Sequence, residues 1–309
     1  MSDRIPFRVH PMLATLVQEP FDRRGWVFEE KYDGYRILAY KEGTQVTLLS
    51  RNSKIRTHSF AAIAQAVAML ASATLLLDGE VVSLDPTGVS RFQRLQNLQA
   101  PPGYAVFDCL YKDGRDLRDQ PLSNRRAALE DVVASTDKHA EIFLSARLSD
   151  NGLKAYQIAK QNGYEGVLAK DASSPYIEGR SGYWLKFKVH QEDEFVVVGY
   201  TAPAGSRKYF GALLLAAYDN GKLVYVGKVG TGFSNETLAQ LHKKFQSVVR
   251  GQPPLPNPPR ERNVTYLAPK FVAQIAYGEL TADRKLRQPV FLGLRDDKRA
   301  QDVLLPEGK

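Results

Sequence analysis

Cysteine is all but absent from this chain of 309 residues: Cys109 stands alone, so no internal disulfide can form. With only five histidines there is no Cys/His framework for a structural zinc either. Long hydrophobic runs are missing. The longest apolar stretches, Gly211 to Tyr218 and Glu194 to Tyr200, are strand-sized, far short of the roughly 20 residues that span a bilayer. Met1 to His10 has no apolar stretch of the kind a secretory leader requires. No repeat is found, and the one low-complexity tract is the Pro-rich connector Gly251 to Pro259. These absences exclude a disulfide-stapled scaffold and a helical membrane protein, and predict a soluble, cytoplasmic protein with no membrane partner.

What is present is a hydrophobic share of 43% with 25% charged residues, enough apolar material to pack two ordinary domains. The 42 Lys and Arg exceed the 34 Asp and Glu by eight. Residues 1–190 hold 25 basic and 22 acidic residues, and residues 191–309 hold 17 and 12, so the C-terminal part is the more basic per residue. Such an excess suits phosphate-bearing partners.

Two kinds of pattern divide the chain. Through residue 190, short β-rich stretches alternate with helical ones, which predicts an α+β domain. Trp26 to Phe28 and Arg36 to Tyr40 flank an Asp33-Gly34 turn, and Val46 to Leu49 continues the meander. Leu75 to Leu84 reads as a strand interrupted at Asp78-Gly79, and Tyr104 to Leu110 as a buried strand. Helices are expected at Ala61 to Leu70, Asn124 to Val133, and Gly152 to Lys160 with Asp150 or Asn151 as N-cap. From Gln191 the pattern is all-β: strands at Phe195 to Tyr200, Ala212 to Tyr218 and Leu223 to Val229, a helix from Asn235 to Val249 capped by Ser234, then strands at Phe271 to Gly278 and Pro289 to Leu292. Five strands with a helix between the third and fourth is the pattern of an OB-type barrel.

Chemistry concentrates in a few clusters. Glu29-Glu30-Lys31-Tyr32-Asp33-Gly34-Tyr35-Arg36 sets a lysine beside carboxylates, a glycine and an arginine. A lysine attacks only once its amine has lost a proton, which burial and nearby cations favour. Arg36 is placed to supply that cation and to neutralise a phosphate. Further along stand Leu77-Asp78-Gly79-Glu80-Val81-Val82, Tyr104-Ala105-Val106-Phe107-Asp108, Glu165-Gly166-Val167-Leu168-Ala169-Lys170 and Trp184-Leu185-Lys186-Phe187-Lys188. Lys186 and Lys188, two apart on a strand, share a face. Arg295, Asp297 and Lys298 lie near the C-terminus. Each cluster alone is an ordinary turn, core strand or charged surface; their joint occurrence in this order is not.

In that order they resemble the motifs of the covalent nucleotidyltransferase superfamily, which comprises ATP-dependent DNA ligases, RNA ligases and mRNA capping enzymes. Pro11-Met12-Leu13 opens the resemblance, and Phe271 to Ile275 with Leu286 to Arg295 bring it nearest to the ligase module of bacterial end-joining DNA ligases. The implied fold is an α+β nucleotidyltransferase (ATP-grasp-like ligase) adenylation domain, residues 1–190, followed by an all-β OB-fold domain, residues 191–309.

The implied roles follow residue by residue. Lys31 takes AMP from ATP. Lys186 and Lys188 resemble α-phosphate ligands, and Arg295 with Lys298 the pair that orients pyrophosphate. Glu80 and Glu165 are the candidates for ribose and metal contacts, with Mg²⁺ and Mn²⁺ equally compatible. Glu29 is the candidate for the adenine amino group, Phe107 for a ring stacked on the purine, and Arg36 and Arg180 for further nucleotide contacts. Arg51 resembles the arginine that grips the nick phosphate; where the family has glycine two positions later, this chain has Ser53. Asp33 and Asp78 are candidates for orienting the lysine and its neighbouring strands. The implied partner is nicked duplex DNA, sealed by a monomer, with a Ku-like end-binding protein as a possible further partner. RNA ligation or capping-type transfer, and a non-catalytic nucleic-acid-binding protein, remain the alternatives.

Overall fold

The computed structural model describes residues 5–17, 19–96, 100–134, 141–189, 191–205 and 207–306. The chain divides into two compact units after Val189; His190, at the expected domain boundary, lies outside the described residues. No helix among the described residues is long and apolar enough to cross a membrane.

The first unit runs β1 (Met12–Leu16), β2 (Trp26–Glu30), β3 (Tyr35–Glu42), β4 (Gln45–Ser50), α1 (Ala61–Ala68), β5 (Thr74–Val82), α2 (Phe92–Gln96), β6 (Gly103–Lys112), β7 (Arg115–Asp116), α3 (Leu122–Ala134), β8 (Ile142–Leu144), β9 (Arg147–Ser149), α4 (Gly152–Asn162), β10 (Gly166–Asp171) and β11 (Gly179–Lys188). They form two sheets, one ordered β1-β11-β10-β2-β9 and the other β4-β3-β5-β6-β7, with β8 added to β6.

Side-chain alternation sorts these strands into layers. Ile37, Ala39, Leu75, Leu77 and Val106 pack under α1 and α3, against Ile63, Val67, Leu129 and Val132. Leu38, Tyr40, Leu76 and Phe107 face the other way and meet Met12, Tyr176 and Trp184 between the sheets. Phe28, Val167, Ala169 and Phe187 cover the far face of the first sheet beneath Ala155 and Ala159 of α4. Of the two expected caps that helix uses Asn151, whose side chain accepts from Lys154 N, and it stops at Gly163 in the left-handed conformation.

Two expectations are corrected here. β2 and β3 are not a hairpin across Asp33-Gly34, because they belong to different sheets and the segment between them crosses from one to the other. Asp33 fastens that crossing: its N–H donates to Ser90 Oγ and its carboxylate accepts from Phe92 N at the start of α2. Gly34 is required by space, since a Cβ there would lie 2.1 Å from the Val81 carbonyl oxygen. Nor does Asp78-Gly79 break its strand. β5 continues through it with a bulge, and Gly79 admits the Tyr104 ring, which a Cβ would meet at 2.5 Å. The turn after β4 keeps its left-handed residue without glycine: Ser53 has φ +56° and donates its N–H to Ser50 O.

The second unit runs β12 (Glu192–Thr201), β13 (Leu213–Asp219), β14 (Lys222–Val229), α5 (Asn235–Phe245), β15 (Val249–Arg250), β16 (Val264–Ala276), β17 (Glu279–Leu280), β18 (Leu286–Arg287) and β19 (Val290–Leu294). The sheet order is β14-β13-β12-β16-β15, β19 pairs with β16, and a parallel bridge from Thr231 to Val290 joins the far end of the path back to β19. This closed path is the expected small barrel. Its interior holds Phe195, Val197, Leu213, Val226, Ile275 and Phe291, and α5 lays Leu238, Leu241 and Phe245 against it. Ser234 caps α5 as expected, accepting from Thr237 N. The helix ends at Phe245 rather than Val249, giving way to a 3-10 turn and then to extended, β-branched Val249. The fourth strand begins at Val264, seven residues earlier than its sequence pattern suggests.

Candidate active site

Lys31 follows β2 directly, and its N–H donates to Gly166 O at the start of β10. Its Nζ forms an ion pair with Glu165, both side chains being mostly buried. Burial pushes the Glu165 carboxyl up, but Lys31, Lys188 and Lys186 outweigh it and hold the group below the usual carboxylate range. Lys186 and Lys188 alternate with the core residues Leu185 and Phe187 on β11, so they share the face that Trp184 turns inward between the sheets. The structure thus gathers Lys31, Glu165, Lys186 and Lys188 from three separate segments.

Two residues before Lys31, on the same face of β2, lies Glu29. Its carboxylate is buried and accepts from Lys170 Nζ at 2.7 Å and Ser145 Oγ at 2.8 Å, with Arg126 Nη1 at 3.4 Å. The Lys170 ammonium is fully buried and lies 4.4 Å from the centroids of both Phe107 and Trp184.

Other expected contacts are engaged within the protein. Arg36 grips Asp78 with both arms, Nε to Oδ1 at 2.5 Å and Nη2 to Oδ2 at 2.7 Å, and Tyr176 donates to the same carboxylate at 2.6 Å. Burial opposes the Arg36 charge, yet Asp78 more than offsets it and holds the guanidinium above its ordinary value. The cation paired most closely with the active-site carboxylate is therefore Lys31 itself, and Arg36 is a clamp between β3 and β5. Phe107 is only 3% exposed, with Arg36 also 4.4 Å from its centroid. It belongs to the core between the sheets. Glu80, half-buried on β5, sits opposite Arg36 of β3 and Ala105 of β6. Arg51 is half-buried in the turn after β4, and Arg180 is exposed on β11, donating to Ala14 O at 2.9 Å.

The family model described as ATP dependent DNA ligase domain matches residues 11–188, and that described as ATP dependent DNA ligase C terminal region matches residues 206–298. The chain belongs to the ATP-dependent DNA ligases. It is 38% identical over 310 residues to the multifunctional non-homologous end joining protein LigD of Pseudomonas aeruginosa, covering 97% of this chain and 37% of that protein. It is 32% identical over 327 residues to a DNA ligase of Thermococcus onnurineus, covering 96% of this chain and 57% of that one. Among solved structures, a mycobacterial DNA ligase D complexed with ATP and MES superposes with a TM-score of 0.73 at 32% identity, covering 98% of this chain and all of that one. The first unit is accordingly a nucleotidyltransferase domain and the second an OB-fold.

In the OB-fold unit, the two basic residues of the C-terminal motif have different partners. Arg295 is buried, donating from Nε and Nη2 to the two carboxylate oxygens of Asp297 at 2.9 Å each and from Nη1 to Gln274 at 3.0 Å. Burial pushes Asp297 up, while Arg295 draws it below the usual range. Arg295, expected beside Lys298 at a pyrophosphate, is here an internal strut. Lys298 is half-buried and pairs with Glu194 at 3.2 Å.

Sequence reasoning missed Lys170, Ser145 and Arg126. A lysine closing the apolar run Gly166-Val167-Leu168-Ala169 was a usable signal, since a cation on a buried strand needs a carboxylate; Ser145 and Arg126 carried none. It also gave no role to Glu30, which points away from Glu29 on β2. Its Oε1 has no hydrogen-bond partner among the described residues, and burial, partly countered by the Tyr32 hydroxyl, pushes its carboxyl up to about 7. From the ordinary 4.5 to about 7 the folded form keeps a proton that the unfolded chain has lost, so stability falls as pH rises through that window. Glu30→Gln is expected to stabilise the ligase by up to about 3 kcal/mol at pH 8 and to change little at pH 4. Urea unfolding at the two pH values checks this, and an equal effect at both would contradict it.

Among the described residues no three His, Cys, Asp or Glu gather as a ready metal cluster. An ionised, mostly buried Glu165 nevertheless suits a hard cation that takes its remaining oxygens from phosphates and water.

Proposed function

We propose that the chain seals 5′-phosphate/3′-hydroxyl nicks in duplex DNA by adenylyl transfer through Lys31, and that it serves repair by end joining. The observation that carries this reading is the Lys31–Glu165 pair beside Lys186 and Lys188. In the first step Lys31 Nζ attacks the α-phosphorus of ATP; a P–N bond forms and the P–O bond to pyrophosphate breaks. Glu165 is within hydrogen-bond reach to receive the proton that Nζ gives up. Lys186 and Lys188 stabilise the charge that gathers on the phosphoryl oxygens. Glu165 and Glu80 would hold a Mg²⁺ or Mn²⁺ ion, which supplies further charge neutralisation at the phosphates when bound. Glu29 meets the purine amino group, and Arg51 and Arg180 meet nucleic-acid phosphate and nucleotide. AMP then passes to the DNA 5′-phosphate, and the 3′-hydroxyl displaces it.

End joining as the pathway is supported by the names of the relatives, of which this chain matches only a part. Four nicked duplexes, with DNA or RNA on each side of the break, test the substrate, and labelled ATP against labelled GTP tests the nucleotide. Protein labelling from ATP with sealing best on the all-DNA nick is expected. Labelling from GTP, or sealing confined to RNA-containing nicks, would overturn the reading.

A further inference from the structure

The Glu29 carboxylate is bound unevenly. Oε2 accepts two short hydrogen bonds, from Lys170 and Ser145, whereas among the described residues Oε1 has only the long 3.4 Å contact from Arg126. Each carboxylate oxygen offers about two acceptor sites, so Oε2 is filled and Oε1 is not.

The donors are themselves held. Lys170 Nζ is anchored on the Phe107 and Trp184 rings. Ser145 Oγ accepts from Arg126 Nη1 at 2.9 Å, which directs its own proton toward Glu29. Arg126 is tied by Nη2 to Ser145 O at 2.9 Å and by Nε to Glu130 at 3.2 Å. Two cations and a hydroxyl therefore surround one buried anion.

We propose that Lys170, Ser145 and Arg126 are positioning residues that hold the Glu29 carboxylate by Oε2, with Oε1 turned to the exocyclic amino group of a 6-aminopurine, and thereby set the enzyme's choice of nucleotide. The proposal rests on the reading of Glu29 as the base contact. A donor amino group completes Oε1, whereas hydrogen at that position leaves a buried acceptor unfilled and a guanine oxygen meets it with like charge. The three residues come from α3, the segment after β8, and β10, so the acceptor is fixed by the fold rather than by its neighbours in sequence.

The test is self-adenylation by the full chain, with ATP and with purine riboside triphosphate, which carries hydrogen in place of the amino group. The wild type is expected to prefer ATP by about 10- to 100-fold in kcat/KM, the range of a hydrogen bond to a charged acceptor. Ser145→Ala should narrow that preference by about threefold and Lys170→Met by about tenfold. The change should lie in the KM for ATP, with the analogue's KM moved by less than about twofold. Lys170→Arg, which restores a cation, should recover most of the preference. If Lys170→Met does not fold, Ser145→Ala and Arg126→Gln decide the matter. Parallel losses for both nucleotides in the variants would overturn the positioning role while leaving Glu29 as base contact. Equal use of both nucleotides by the wild type would overturn the base contact and this proposal with it.

Discussion

Lys31→Ala is expected to abolish the protein–AMP adduct, lowering its rate of formation from ATP by at least about 10³-fold. In the proposed mechanism alanine removes the amine that forms the P–N bond. Lys31→Arg should fail almost as completely, because a guanidinium remains charged and delocalised and offers no lone pair for attack. Labelled ATP followed by denaturing electrophoresis reads the adduct directly. Glu165→Gln supplies the contrast: it keeps the nucleophile and its shape but removes the carboxylate that pairs with it. A partial defect is expected there. An adduct that forms in Lys31→Ala at the wild-type rate would refute the assignment of the nucleophile.

Arg125→Met should produce the largest loss of stability, about 3–5 kcal/mol. Arg125 and Asp108 are both fully buried and joined by two hydrogen bonds, Nε to Oδ1 at 2.8 Å and Nη2 to Oδ2 at 2.9 Å. Arg125 Nη1 also donates to Gln120 O and Ser174 O, tying the start of α3 to two loops. Burial pushes the Asp108 carboxyl up and Arg125 opposes it, so the variant leaves an acid that must take up a proton or stay charged in the core. For a unit of this size the loss corresponds to a fall in Tm of about 6–20 °C by calorimetry. Asp108→Leu combined with Arg125→Met should recover most of it, because desolvation of both charges is then avoided. A double variant less stable than Arg125→Met alone would show that the pair stabilises the fold outright.

Much of the fold was legible locally. Alternating apolar residues marked most of the long strands, and Asp150-Asn151 and Ser234 marked two helix starts. What local pattern could not carry was partner choice. Strand alternation tells which residues share a face and says nothing about which strand lies alongside. Thus β2 and β3, four residues apart, join different sheets, whereas β1 and β11, separated by most of the unit, pair in parallel. The same limit held at the site. Lys31, Lys186 and Lys188 stand in recognisable motifs, but Lys170 and Ser145 reach Glu29 across 141 and 116 residues.

The order of the charged clusters determined by itself the family, while the scarcities, a single cysteine and no bilayer-length apolar run, excluded a disulfide-stapled scaffold. Tertiary structure alone decided which internal partner each charge meets. Arg36 and Arg295 look like phosphate ligands in sequence, yet each is locked bidentately to an aspartate inside its unit. A buried charge must find its counter-charge wherever the fold brings one, and that choice depends on distances in space that no spacing along the chain encodes.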